Sequence, residues 1–376
     1  MRVPAVLAAA AAAATPALGV AVNNESIIVM EAPDHVRPYV LPKFRGKATK
    51  LAETQVIRYS ITNNSSGGAF ALLQHTGNVR GYTSARPHRH HEVQEHFYCS
   101  RGRVQLWGMK DEANASHEAR VATVGDYGSI PPYGIHTFQL TDPDSSLTHV
   151  FHPAGFEHLF EVFSSGDFDT TGISSSFVPA ENDNPPFGAL TPKEDATLQS
   201  LDLYAFYDDA PWIPRRDFVN GTAGDKSLHW HDGPNEIPTD PTLPYFIAKD
   251  YGPKYLNEES GYKIIQPLAT ADITFGKNFT TGTVILSPKS TGDVTVLPNH
   301  FGLQMEDGLL ELAIKGYEKA TLIAGDVAFI PENVEFSYRG MVPFTKFFYM
   351  NAGAKGLDYQ LLQNSRPWNY TAYPQV

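Results

Sequence analysis

Read for the alternation of apolar and polar positions, the chain is a succession of short runs rich in Val, Ile, Phe and Tyr. They include "SIIVMEA" from Ser26, "QVIRYSIT" from Gln55, "AFALLQH" from Ala69, "EHFYC" from Glu95, "RVQLWG" from Arg103 and "LTHVFH" from Leu147. Turn-forming residues separate these runs at short intervals, which predicts the strands of an all-β barrel or sandwich. Helical periodicity is weak. The exception is "TPKEDATLQSL", where Thr191 can cap, Pro192 suits the first helical position and Glu194 completes a capping box. This helix follows "SSSFVPAENDNPPFGAL", whose Ser, Pro and Asn content reads as a linker.

A second β-rich half begins near Tyr245 and repeats the first. "GDYGSIPPYGIHTF" from Gly125 has a counterpart in "GDVAFIPENVEFSY" from Gly325, with the Gly-Asp turn, the Ile-Pro pair and the final aromatic at equal spacing. Two copies of one β-barrel explain this most simply. The copies differ where chemistry would sit. His136 corresponds to Phe336, and although Gly102 pairs with Gly308, the residues before Gly308, "DVTVLPNHFGLQMED", lack the histidine and glutamate pattern found before Gly102. The expected organisation is a leader over 1–19, a first barrel over 20–175, a linker with a short helix over 176–244 and a second barrel over 245–376.

At 376 residues with 42% hydrophobic and 12% aromatic content, the chain is long and apolar enough for two packed cores. Its start, "MRVPAVLAAAAAAATPALGV", sets Arg2 before an apolar run and small residues at Ala17 and Gly19, the order of a secretory signal. Sequons at Asn24, Asn63, Asn64, Asn114, Asn220, Asn278 and Asn369 agree with export, five of them (Asn63, Asn114, Asn220, Asn278 and Asn369) being the candidate glycosylation sites. The expectation is a secreted, soluble protein. The single cysteine, Cys99, leaves no intramolecular disulfide to stabilise it, and the net charge of −12 argues against nucleic acid or an anionic membrane as partner.

The candidate chemistry lies in "RPHRHHEVQEHFYCSRG" from Arg86. Residues two apart on a strand share a face, so His88 and His90 can aim both imidazoles inward. A turn through His91 to Val93 then returns the chain as "EHFYC", where Glu95, Phe97 and Cys99 share one face. His136 and Phe138 form the same kind of pair on a later strand. The predicted interior therefore holds His88, His90, His136, Glu95 and two phenylalanines. Three neutral imidazoles and one carboxylate suit Zn, Cu, Fe, Mn or Ni, and leave a divalent ion with about one uncompensated positive charge that attracts an anionic substrate. His91 and His96 have the wrong parity for that interior. A second HxHxxxxE, His229, His231 and Glu236 in "HWHDGPNE", lacks the following glycine, strand and Gly-Asp-Ile-Pro segment, and reads as coincidence in a connector.

These motifs resemble the cupin superfamily. His88, His90, Glu95 and Gly102 match its first motif, with Gly81 one residue early; Gly125, Pro131 and His136 match its second, with Gly134 one residue late and the usual Asn missing. Within the superfamily the chain is similar to the fungal quercetin 2,3-dioxygenase family of secreted copper bicupins. "EAPDHVRPYV", "HFYCSRGRVQLWG", "GDYGSIP", "IHTFQLTDPD", "GPKYLN", "GYKIIQP" and "GDVAFIPENVEF" carry that likeness across both halves. The resemblance implies two jelly-roll barrels and one copper ion per chain held by His88, His90, Glu95 and His136, with manganese, iron or nickel less favoured. It also implies Glu95 as catalytic base, Phe97 and Phe138 beside a flavonol, and dioxygen as co-substrate. Ile57, Leu73, Gln74, His75 and His96 depart from the pocket lining expected of such enzymes. The rival readings are a manganese oxalate oxidase or decarboxylase, for which Arg86 and Arg89 are the local cations, and a non-catalytic cupin that binds a small ligand.

Overall fold

The computed structural model describes residues 25–51, 54–77, 82–112, 115, 118–170, 187–206, 235–288, 292–370 and 373–374. The expected leader, the sequons at Asn24, Asn114 and Asn220, Gly81, His229 and His231 lie outside the described residues.

Each half folds as a two-sheet barrel. In the first, a large sheet runs in the order Gly166–Asp167, Ala48–Leu51, Gln55–Ile61, Ala71–Gly77, Ser145–His152, Gln94–Arg101, Tyr127–Ile130 and Tyr245–Ile247. A smaller sheet faces it, in the order Tyr204–Ala205, His88–Arg89, Ile135–Leu140, Val104–Met109 and Glu118–Ala122. The second barrel repeats the plan, with Val327–Ile330, Phe301–Asp307, Thr345–Asn351, Thr280–Leu286 and Lys263–Ala269 central in its large sheet and Glu335–Gly340 and Leu309–Ile314 central in its small one.

The two large sheets pack against each other. Leu72, Tyr98 and Val150 join Phe329, Phe348 and Met350 in one buried cluster, and Tyr98 stacks on Phe348 with ring centroids 4.4 Å apart. Both faces of these sheets are thus covered, one by the barrel interior and one by the neighbouring barrel. This is why Gln55–Ile61 and Ala71–Gly77 are buried along their whole length and why alternation is faint in their sequence.

The barrels also exchange strands. Tyr39–Leu41, near the start of the chain, pairs with Val327–Ile330 of the second barrel, and Tyr245–Ile247 pairs with Tyr127–Ile130 of the first. The repeated Gly-Asp turn fastens both exchanges. Asp126 Oδ1 accepts from the Lys249 amide and Asp326 Oδ1 from the Lys43 amide, each at 2.7 Å. The preceding Gly125 and Gly325 have φ of +93° and +96°, and a Cβ at either would run into the Lys249 or Lys43 side chain. Glycine is required there for conformation and for space.

Five of the six quoted strand runs form strands. "SIIVMEA" instead makes only an isolated bridge between Ile28 and Val40, with Ile27 buried while Ile28 and Met30 are exposed. The segment crosses the surface, and among the described residues Tyr39–Leu41 is the one strand that bridges to it. The helix is Pro192–Gln199, and its capping box forms: the Thr191 amide donates to Glu194 Oε2 at 2.7 Å and the Glu194 amide to Thr191 Oγ1 at 3.3 Å. Among the described sequons, Asn278 and Asn369 are exposed, and Asn63 and Asn64 lie in the short helix Asn63–Ser66.

Candidate metal centre

The large sheet of the first barrel sets the inward face by register. Glu95 lies opposite Phe151, Phe97 opposite His149 and Cys99 opposite Leu147; on the next strand pair His149 lies opposite Leu73 and Leu147 opposite His75. Across the barrel, His136 pairs directly with His88. These pairings bring the nitrogen or oxygen donors of His88, His90, Glu95 and His136 within 4.8 Å of one another, all four side chains being buried.

Each histidine of the group is oriented through its other nitrogen. His88 Nδ1 donates to the Arg86 carbonyl at 2.6 Å, His90 Nδ1 to the Asp202 carbonyl at 2.7 Å and His136 Nδ1 to the Gly134 carbonyl at 3.0 Å. The three Nδ1 protons are thereby committed and the Nε2 atoms point at the centre, the arrangement that fixes tautomer and ring direction in metal-binding histidines. His136 Nε2 and His90 Nε2 come within 2.9 and 3.3 Å of the same Glu95 oxygen, Oε2. With Nδ1 already protonated, such an approach requires positive charge at the centre, either as protons on Nε2 or as a cation among the donors. The donor set fits a divalent metal ion.

Burial alone would raise the Glu95 pKa, but hydrogen bonds from His136, His149 and His90 outweigh it and hold the carboxyl well below its usual range. Burial, reinforced by His136 and His90, pushes His88 well below the ordinary imidazole value despite opposing effects of Glu95 and the Arg86 carbonyl. A carboxylate and a neutral imidazole are the forms that bind metal.

Aromatic rings wall the group. Phe97 lies 5.7 Å from the His136 ring and 5.9 Å from Phe138, and Phe156 meets His90 edge-on at 4.3 Å. Cys99 is buried in the same interior with its thiol directed to the Arg101 and Gly102 carbonyls, and burial pushes its pKa up. His91 and His96 point elsewhere, as their parity predicts. His91 stacks between Tyr133 and Tyr204, and His96 Nδ1 bonds the Tyr127 hydroxyl at 2.6 Å with its ring on Phe279. Arg86 donates to the Gly188 carbonyl at 2.7 Å, and Arg89 pairs with Asp111 at 2.5 Å.

Three participants escape a motif reading. Asp202 follows the short helix and serves the centre mainly through its backbone carbonyl; its carboxylate also accepts from the His91 and Glu92 amides at 2.8 and 3.0 Å. Backbone donors and acceptors leave no residue signature. Phe156 sits after the Pro-Ala-Gly turn that leaves Ser145–His152, outside any alternating run. His149 was accessible to parity, because it alternates with Leu147 and Phe151 in "LTHVFH". Its Nδ1 bonds Glu95 Oε1 at 2.7 Å.

Two jelly-roll barrels, with a buried His3Glu group in the first, define a bicupin with a metal-binding centre. No family model matches the chain. It is, however, 37% identical over 356 residues to the quercetin 2,3-dioxygenase of Aspergillus japonicus, a match covering 94% of this chain and 99% of that enzyme. The chain belongs to the quercetin 2,3-dioxygenase family and is an enzyme of that dioxygenase class. In fold it also resembles the oxalate decarboxylase of Lactobacillus farciminis solved with formate, at a TM-score of 0.51 and 12% identity, covering 89% of this chain and 92% of that one. The Mn(II) oxalate decarboxylase of Bacillus subtilis gives a TM-score of 0.52 at 13% identity, with 88% and 82% covered.

Proposed function

We propose that the protein is a copper-dependent flavonol 2,3-dioxygenase that opens the central ring of quercetin. One flavonol and one dioxygen give a depside and carbon monoxide. The observation that carries this reading is the His3Glu group standing against the ring of Phe97, which Phe138 adjoins at 5.9 Å, in a chain that matches quercetin 2,3-dioxygenase over nearly its whole length. His88, His90, Glu95 and His136 would hold the copper, which supplies Lewis-acid stabilisation of negative charge when bound.

The chain's own groups do the rest. Glu95, held as a carboxylate, takes the proton of the substrate's 3-hydroxyl. Phe97 and Phe138 lie two positions beyond Glu95 and His136 on their strands and share the inward face, so they offer apolar surface to a planar aromatic ring on the side of the donors. All four donors are buried, away from bulk water. Oxalate fits less well. A small dianion needs cations beside the centre, and Arg86 and Arg89 are engaged by Gly188 and Asp111.

We further propose that the enzyme acts outside the cell as a glycoprotein, on the strength of the leader-like start and the sequons. Metal analysis of the purified protein, with incubation in quercetin and oxygen while carbon monoxide is measured, tests the central reading. Copper near one per chain with carbon monoxide formed in step with quercetin loss is the expected result. Absence of ring cleavage by the copper-loaded enzyme contradicts it.

A further inference from the structure

The cluster treats the two oxygens of Glu95 differently. Oε2 faces His136 and His90 at 2.9 and 3.3 Å, whereas among the described residues Oε1 is bound only by His149, whose Nδ1 donates to it at 2.7 Å. An ion at the centre would take up the Nε2 atoms of His136 and His90, so two of the three contacts to the carboxylate would be lost on metal loading and the His149 contact would remain. We propose that His149 is a positioning residue of the centre, fixing Oε1 so that Oε2 alone is presented to the metal and to the substrate's hydroxyl; this rests on the metal-centre reading above.

His149 is placed for that role by the sheet. Phe151 lies opposite Glu95 and His149 opposite Phe97, so His149 reaches Glu95 diagonally across adjacent strands on the shared inward face. Its ring is clamped by Phe97 and Phe138 at 5.2 and 5.1 Å and by Phe151 at 5.9 Å, which leaves it little room to turn. Its Nε2 is buried without a partner, so the bond to Glu95 is the one hydrogen bond its ring makes among the described residues. His75, 5.3 Å away, does not compete, since among the described residues neither of its nitrogens has a hydrogen-bond partner.

Packing alone gives no reason for histidine here. An apolar side chain of similar size would fill the same space between phenylalanines without burying an unpaired nitrogen. It would also leave Glu95 Oε1 buried with no donor and the carboxylate free to turn both oxygens toward the ion. A carboxylate ligand held from its outer side commonly binds metal ten- to a hundredfold tighter than one left unheld.

The test uses full-length metal-free protein: wild type, His149→Met, His149→Asn and His149→Gln, each titrated with copper(II) against a competing chelator and examined by electron paramagnetic resonance. Met should weaken copper binding by about ten- to a hundredfold and change the copper signal. Asn, whose amide can stand where Nδ1 stood, should restore most of both; Gln, whose amide lies near the former Nε2, should not. Equal affinities and a single spectrum for all four proteins overturn the proposal. If the Met variant does not fold, the Asn and Gln pair decides, and identical behaviour of those two overturns it. A wild type that binds copper no better than a His88→Ala control overturns the centre itself, an outcome distinct from a wild type that binds well and is indifferent to His149.

Discussion

Phe301 and Phe336 stack at 5.7 Å and 15° in the second barrel, at the positions that Glu95 and His136 hold in the first. The equivalence is one of register, because Glu95 pairs with Ile130 and Phe301 with Ile330, while Gly102 and Gly308, each seven residues further on, share a left-handed turn with φ of +69° and +78°. One barrel has a polar centre where its copy has an aromatic stack.

That relationship predicts different outcomes for matched substitutions. Phe336→Ala should destabilise the protein by about 3–5 kcal/mol in reversible denaturant unfolding, the scale for emptying a buried aromatic site, with copper binding retained. His136→Ala should abolish tight copper binding. Elemental analysis of both variants separates the roles, and close to two metal ions per wild-type chain would contradict the assignment.

The scaffold and the four donors were legible in the sequence because strand parity and fixed spacing express them directly. His88 and His90 point inward together, Glu95 and Phe97 follow with the same parity, and the repeat locates His136 by contrast with Phe336. What was hidden is carried by backbone or by distant pairing. The exchange of Tyr39–Leu41 and Tyr245–Ile247 between barrels has no local pattern, since a strand reads alike whichever sheet it joins. The segment read as linker returns to the centre, where Ala205 pairs with His88 and the Asp202 carbonyl orients His90.

Asp202 carries a prediction of its own. Its φ is +61°, a conformation that Asp and Asn tolerate better than residues without a short polar side chain. Asp202→Ala removes both bonds to the His91 and Glu92 amides and strains the turn, so copper affinity should fall by roughly tenfold, while Asp202→Asn should recover part of the loss. Chelator competition reads both variants, and an unaffected Ala variant would show that the His90 ring is held by packing against Phe156 instead.

Phe138→Ala should weaken flavonol binding by about 2 kcal/mol, roughly thirtyfold in Kd, through lost ring contact. Copper content should stay at the wild-type level, because Phe138 offers no donor. Fluorescence titration of the metal-loaded enzyme under nitrogen measures the affinity without turnover.

Glu95→Gln keeps the size of the side chain and removes its charge and basicity. Compared at equal copper content, its kcat should fall by about 10²- to 10⁴-fold, the range for loss of a general base. Turnover close to wild type would mean that solvent or another group accepts the 3-hydroxyl proton.

The most direct measurement of the central claim supplies quercetin and oxalate separately to the copper-loaded enzyme under oxygen and follows carbon monoxide, depside and oxalate. The account predicts one carbon monoxide per quercetin consumed and no loss of oxalate. Oxalate consumption, with quercetin left intact and no carbon monoxide, would contradict it.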